Sequence, residues 1–368
     1  PRSTPKPSSA ASDVYKRQEN DHIRKNIYVW KIHFRNQFRL TVMHPVLSTI
    51  LKRFGLGIFT LFMASIVIFS SISMLPGDFT QAVLGQSATT ETVAAFRKEL
   101  GLDRPAPIRY AEWVVSVLKG DLGTSFSGRS ASGVDRSRPV VSLVAPRLWN
   151  TLFLAMVTAL VAVPLSLILG ITAALYRNSP YDRSVNATTL VTISMPEFFL
   201  AYILILVLAS LWPIFPSLST IDPKMDFAER LYRSALPAMT MTFCIVAHMM
   251  RMTRAAIINL IASPYVEMAK LKGASPFKVI SYHILPNAWA PIATVIAFNL
   301  AYLVVGVVVV EVVFVYPGIG QLMVDSVTSR DIPVVQACAL IFAATYITLN
   351  LIADIIGIIS NPRLLHPR

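Results

Sequence analysis

The sequence predicts an all-α polytopic membrane protein, and three observations predict it. The 368 residues are 54% hydrophobic and only 14% charged, whereas a soluble globular domain carries about 25% charged residues. Six apolar runs approach the roughly 20 residues needed to cross about 30 Å of hydrocarbon. Lys and Arg concentrate in alternate connections between those runs, as expected when they stay on one side of a bilayer.

Residues 1–43 begin rich in Pro, Ser and charge and turn basic and aromatic, with no cleavage-site pattern; they read as a disordered or non-native extension. Met43 opens "MHPVLSTILKRFGLGIFTLF", so residues 44–75 are expected as the first transmembrane helix, with Gly55–Leu75 its apolar stretch. Residues 76–148 form an external segment. Pro76-Gly77 stops the first helix, Thr90–Leu100 fits an amphipathic helix with Val93, Phe96 and Leu100 on one side, and "RYAEWVVSVLKGDLGTSFSGR" follows. These pieces are too short and too charged to span, which suits interfacial helices.

Residues 149–361 are expected to hold a five-helix core: Thr151–Tyr176, Asn186–Leu211, Ala235–Ile258, Trp289–Tyr316 and Val335–Ile359. The Pro-rich and acidic stretch Trp212–Arg233 should cover the third and fourth spans, and residues 362–368 form a tail. Lys52, Arg53, Arg177, Arg183 and five basic residues between Arg251 and Pro286 mark the cytoplasmic side. On the other side Lys224, Arg230 and Arg233 are offset by Asp222, Asp226 and Glu229, and Arg330 is flanked by Asp325 and Asp331. Six spans then leave both termini in the cytoplasm.

The net charge of +13 does not indicate nucleic acid. Residues 1–43 hold nine basic and three acidic residues, a net of +6, and topology accounts for the basic loops, with no nucleic-acid fold motif beside them. Cys244 and Cys338 lie in apolar helices and read as buried structural thiols, with no metal site. Polar residues inside spans cost at least about 2.5 kcal/mol for a central charge, so Glu197, His248, Glu311 and Asp354 need a role. Each either lines a watery path, sits at an interface or satisfies a helix end. Glu197 stands out because Pro196 breaks the helix beside it, and Glu197, Phe198, His248 and Glu311 are the candidates for the path.

The apolar pattern is interrupted by "ASPYVEMAKLKGASPFKVISYHILP", residues 262–286. Ser263 and Ser275 are good N-caps, and Pro264 and Pro276 fit first helical positions, where a missing N–H costs nothing. The spacing predicts a helix of about nine residues ending at Gly273, with Lys270 and Lys272 complementing its C-terminal dipole. A second helix should carry Phe277, Ile280 and Ile284 on one side and stop at Pro286. Capping alone favours an ordinary cytoplasmic loop with surface helices.

The spacing Glu267, Ala269, Gly273, then Leu285-Pro286 resembles the Glu-Ala-Ala signature of bacterial ABC-importer permeases, Glu-Ala-Ala, three residues, Gly, then Ile-x-Leu-Pro. Met268 replaces the middle Ala, and His283 stands where Ile is usual, with Ile284 one place later. Over residues 43–368 the chain is most similar to dipeptide, oligopeptide and nickel importer permeases, through "LPGD", "ELGLDRP", "GDLGTSF", "MTRAAII", "YVEMAKLKG", "VVVVEVVFVYPGIGQLMVDSV", "RDIPVVQ" and "NPRLL" in that order.

The resemblance implies the six-helix type I permease fold in a bacterial cytoplasmic membrane and a place in an importer, with short peptides as cargo ahead of nickel or another small solute. It also implies a second homologous permease, two ATPase subunits that bind ATP and Mg, a substrate-binding protein outside the membrane, and no cofactor on this subunit. By the same resemblance Tyr265, Glu267, Met268, Ala269, Lys270, Lys272, Gly273, Leu285 and Pro286 form the part that couples to the ATPases.

No Gly-x4-Gly-Lys-Ser/Thr phosphate loop occurs in the chain, so hydrolysis is expected on the partners. A secondary transporter would show inverted-repeat symmetry with matched breaks near the midplane, and a membrane-embedded enzyme would show a metal or nucleophile motif within a span. Neither pattern is clear.

Overall fold

The computed structural model describes residues 47–74, 89–99, 101, 103–127 and 137–359. The expectations for residues 1–43, "LPGD", Leu100, residues 362–368 and "NPRLL" lie outside the described residues, as does the side chain of Phe96. The chain divides into a small unit, Pro1–Phe54 with Ile358–Arg368, and a large one, Gly55–Gly357. In the small unit the described residues 47–54 and 358–359 are helical.

The elements are α1, Leu47–Ser73; α2, Thr90–Glu99; α3, Ala106–Leu118; α4, Val140–Leu175; α5, Pro180–Ser194; and α6, Glu197–Ile205 with a π-helical turn Leu206–Leu211. They continue as α7, Phe227–Arg233; α8, Ala235–Ile261; α9, Pro264–Leu271; α10, which joins Pro276–Lys278, a π-helical turn Val279–Ile284 and Leu285–Val313; α11, Ile319–Thr328; and α12, Ile332–Ile359. Among the described residues five helices are long and apolar enough to cross a membrane, or up to six if α5 and α6 together make one span. The all-α polytopic class is thus what the structure has.

Three spans depart from expectation, among them the fifth, which runs from Pro276 to Val313 within α10 instead of from Trp289 to Tyr316. The second starts at Val140 instead of Thr151, because Pro139 opens it and Val140 and Val144 pack against Ile319, Val334 and Cys338. Ser142, Arg147 and Asn150 interrupt the apolar run there, so hydropathy alone truncated it. The third is two helices bent by 104° at Met195-Pro196. Met195 is extended (φ −90°, ψ 133°), as a residue before proline prefers, and Pro196 offers no N–H to continue the ladder.

The central core joins α4, α8 and α10 through Leu154, Met241, Ile245, Met249, Leu303 and Val307. Beyond its end Asp331, buried, organises the loop before α4: it accepts from the Ser125 hydroxyl and from the N–H groups of Phe126 (3.0 Å) and Ser127 (3.1 Å). The "GDLGTSF" and "RDIPVVQ" stretches, some 200 residues apart in the chain, therefore meet at one carboxylate. Helix α3 leans on α1 through Tyr110, whose hydroxyl is 2.8 Å from that of Ser65 and whose ring meets Phe69 edge-on.

Candidate functional site

The segment 262–286 forms the short helices expected, with differences in detail. Ser263 has N-cap backbone geometry, yet its hydroxyl donates back to the Leu260 carbonyl and caps nothing. Ser275 does accept from the Lys278 N–H, at 3.4 Å. Helix α9 ends in a Schellman closure: the Gly273 N–H donates to Lys270 O (2.9 Å) and the Ala274 N–H to Ala269 O (3.1 Å). Gly273 has φ +77°, a conformation that costs an L residue roughly 1–2 kcal/mol.

Helix α9 has two unlike sides. Val266 and Ala269 are buried against Ile257, Val279, Ile284 and Ala288, and burying a valine stabilises by about 1.5–3 kcal/mol. Tyr265, Glu267, Met268, Lys270, Leu271 and Lys272 are exposed, with Leu271 at 75% and nearby Phe277 at 77%. Ala269 is thus a packing residue of this chain's own core, because the turn that ends at Gly273 folds it inward.

The second helix does not stop at Pro286. Pro286 occupies the first turn after the π-helical stretch, and α10 runs on to Val313. Nor do Phe277 and Ile284 share a side, since Ile284 is buried at 2% and Phe277 is exposed. The π turn is the reason. In an α-helix the residue packing one turn after buried Val279 would be His283; a turn with i→i+5 bonds takes one residue more and delivers Ile284 to that place. His283 is left partly exposed at the side. Leu285 packs at the edge of the same cluster and Pro286 is exposed.

At the α5–α6 bend Glu197 is partly exposed and accepts a hydrogen bond from the Tyr302 hydroxyl at 2.8 Å. With Met241, Cys244 and Gly306 they border a recess of about 10 Å³, room for roughly one water. Phe198 is exposed, at 49%. Cys244 is only partly buried, whereas Cys338 is buried, and both thiols are free. His248 is exposed on α8 and lines an open cavity of about 460 Å³ with Asn186, Arg251, Met252, Arg254 and Ala255. Beside it Arg254 grips buried Asp182 of α5 through two 2.8 Å hydrogen bonds.

Glu311 is placed differently from Glu197, Phe198 and His248. It is fully buried: its carboxylate accepts from the Thr151 hydroxyl (2.6 Å), the Gly320 N–H (2.7 Å) and the Gln321 N–H (3.2 Å). It therefore caps the N-terminus of α11 and ties α4, α10 and α11 together, where N–H groups and the helix dipole favour an anion. Gly318 makes room, since a Cβ there would lie 1.9 Å from Glu311 Oε1. Asp354 is partly buried within α12.

Tyr302, Asp182, Arg251 and Arg254 were not singled out from the sequence. Tyr302 sits in an aromatic-rich apolar run that reads as ordinary core. Arg251 and Arg254 read in the sequence as markers of topology, and Asp182 carries no motif. A search for opposite charges just inside the ends of two spans would have raised Asp182 and Arg254.

The chain matches a model of the binding-protein-dependent transport system inner membrane component over residues 166–366 and a model of the N-terminal part of such components over residues 46–157. It is 33% identical over 315 residues to a protein of Sinorhizobium fredii named a probable peptide ABC transporter permease, covering 86% of this chain and 98% of that one. It is 34% identical over 318 residues to a glutathione transport system permease of Salmonella choleraesuis, covering the same shares, 86% and 98%. A solved methionine ABC transporter in inward-facing form aligns at a TM-score of 0.46 and 17% identity, over 59% of this chain and 97% of that chain. With both segments of the family matched in order and almost the whole length of each named relative aligned, the chain belongs to the binding-protein-dependent inner-membrane components, as a multi-pass permease of the peptide group of ABC importers.

Proposed function

We propose that this permease carries short peptides inward and that α9 is the helix through which partner ATPases drive it. The observation that carries the coupling reading is the two-sided α9: one side is locked into the bundle by Val266 and Ala269, and the other offers Tyr265, Met268 and Leu271 among Glu267, Lys270 and Lys272. A helix docked on both sides moves as a body, which a loose loop does not. The names of the relatives, peptide and glutathione permeases, support a peptide cargo over nickel.

In this reading a second homologous permease completes the path, two ATPase subunits bind ATP and Mg, and a binding protein delivers cargo from outside. Both termini and residues 262–286 face the cytoplasm. ATP binding and the loaded binding protein bias a two-state equilibrium in which the spans rock between inward- and outward-open forms. Glu197, Phe198 and His248 face the path; Glu311 holds its outer end together.

The test is a reconstituted complex carrying Gly273→Val or Leu271→Asp. Both variants are expected to insert and to lose uptake together with cargo-stimulated ATP hydrolysis. Wild-type stimulation in both would remove α9 as the coupling helix.

A further inference from the structure

The open side of α8 carries Cys244, His248, Arg251, Met252 and Ala255, one stripe at helical spacing. His248, Arg251, Met252 and Ala255 are exposed, while the other sides of α8 bury Met241, Ile245, Met249, Met250, Thr253 and Ile257. A stripe facing lipid would be apolar, since charge in hydrocarbon is costly. The 460 Å³ cavity on this stripe is basic. Arg254 is neutralised by Asp182, and both amide hydrogens of Asn186 are directed at Asp182 as well. Among the described residues Arg251 meets no carboxylate.

We propose that this cavity is an anion subsite for the carboxylate of the cargo, with Arg251 supplying the charge and His248 a second donor. The proposal rests on reading the α8 stripe as a wall of the path. The opposite pole is Glu197, which shares its recess with Cys244. Seven helical steps separate Cys244 from Arg251, roughly 10 Å, and an extended tripeptide spans about 10 Å as well. The two poles therefore suit a zwitterion with its amine toward Glu197 and its carboxylate toward Arg251.

The test uses the complete importer in vesicles, with Cys244→Ser and Cys338→Ala as background and a single reporter, Ala255→Cys or Met252→Cys. A sulfonate-bearing thiosulfonate is expected to react about tenfold faster than a trimethylammonium-bearing one after normalisation to a free thiol, and Arg251→Gln should erase the preference. Trialanine should slow the anionic reagent and its C-terminal amide should not. Equal rates for the two reagents with Arg251 present overturn the subsite and leave the path reading standing. No reaction at either reporter in any nucleotide state overturns the path reading beneath it. A preference seen in phosphatidylcholine but abolished by phosphatidylglycerol assigns the pocket to lipid phosphate and overturns the cargo assignment.

Discussion

Glu311 and Gly318 behave as lock and keyhole. Removing the carboxylate leaves the Thr151 hydroxyl proton and two backbone N–H groups without an acceptor, at about 1–3 kcal/mol for each unmet donor, while Thr151 Oγ1 still accepts from the Ile319 N–H. Glu311→Ala is expected to lower the thermal midpoint of the purified protein clearly, and Glu311→Gln by less because one acceptor oxygen remains. Gly318→Ala should destabilise comparably by displacing the carboxylate. The double variant Glu311→Ala/Gly318→Ala should fall short of the summed losses by at least about 1 kcal/mol; strict additivity would show that the two sites act apart. Gly273 obeys a different rule. An added Cβ there meets nothing within 4 Å, so only φ is at stake: Gly273→Asn should retain most uptake, since asparagine enters the left-handed region readily, while Gly273→Val should not. Equal loss in both variants would show that the left-handed turn is not what matters.

Among the elements, the π turn of α10 was the least legible. The sequence displayed its cause as an Ile one place late with His283 in the usual position, but a pattern of residues does not say whether the helix will rotate or absorb the extra residue. Burial decides it, because Val279 and Ile284 both reach the cluster under α9. Deleting His283 should restore a regular α-helix with the same two residues inward. The deletion is expected to preserve assembly with partner subunits, measured by size-exclusion elution of the complex, whereas deleting Leu303, buried in the central core, should abolish it. Loss of assembly in both would mean that the π turn has a role beyond register. The capping logic of α9 was legible at Gly273 and misleading at Ser263, whose hydroxyl finds a nearer carbonyl at the end of α8.

For the whole molecule, the order of the spans followed from the apolar runs, because a bilayer tolerates little else, while among the described residues the expected six are reached only if α5 and α6 count as one span. The 104° bend did not, since hydropathy averages over Pro196. Of the polar residues expected at a path, Glu197 and His248 are reached from open space and Glu311 is buried; their spacing along the chain did not separate them because Thr151 and Gly320, its partners, belong to other helices. The ends of α5 and α8 are joined by Asp182 and Arg254. Arg254→Gln, which leaves a buried carboxylate without its counter-charge although Asn178 N–H and Asn186 still donate to it, should cost about 3 kcal/mol and reduce the yield of folded protein, with Asp182→Asn/Arg254→Gln milder than the single change. A double variant worse than either single change would show that the pair is not the source of the loss.

The cap made by Glu311 also constrains how the chain is synthesised. As α10 enters the membrane its carboxylate already has Thr151 available from α4, but its backbone partners lie nine and ten residues further on. The segment "YPGIGQ" must therefore emerge and fold back before that acid is fully satisfied, so insertion of α10 is completed only once α11 is in place. A chain whose α10 has entered the bilayer before residues 320 and 321 have folded back would hold a span still carrying a partly unmet carboxylate.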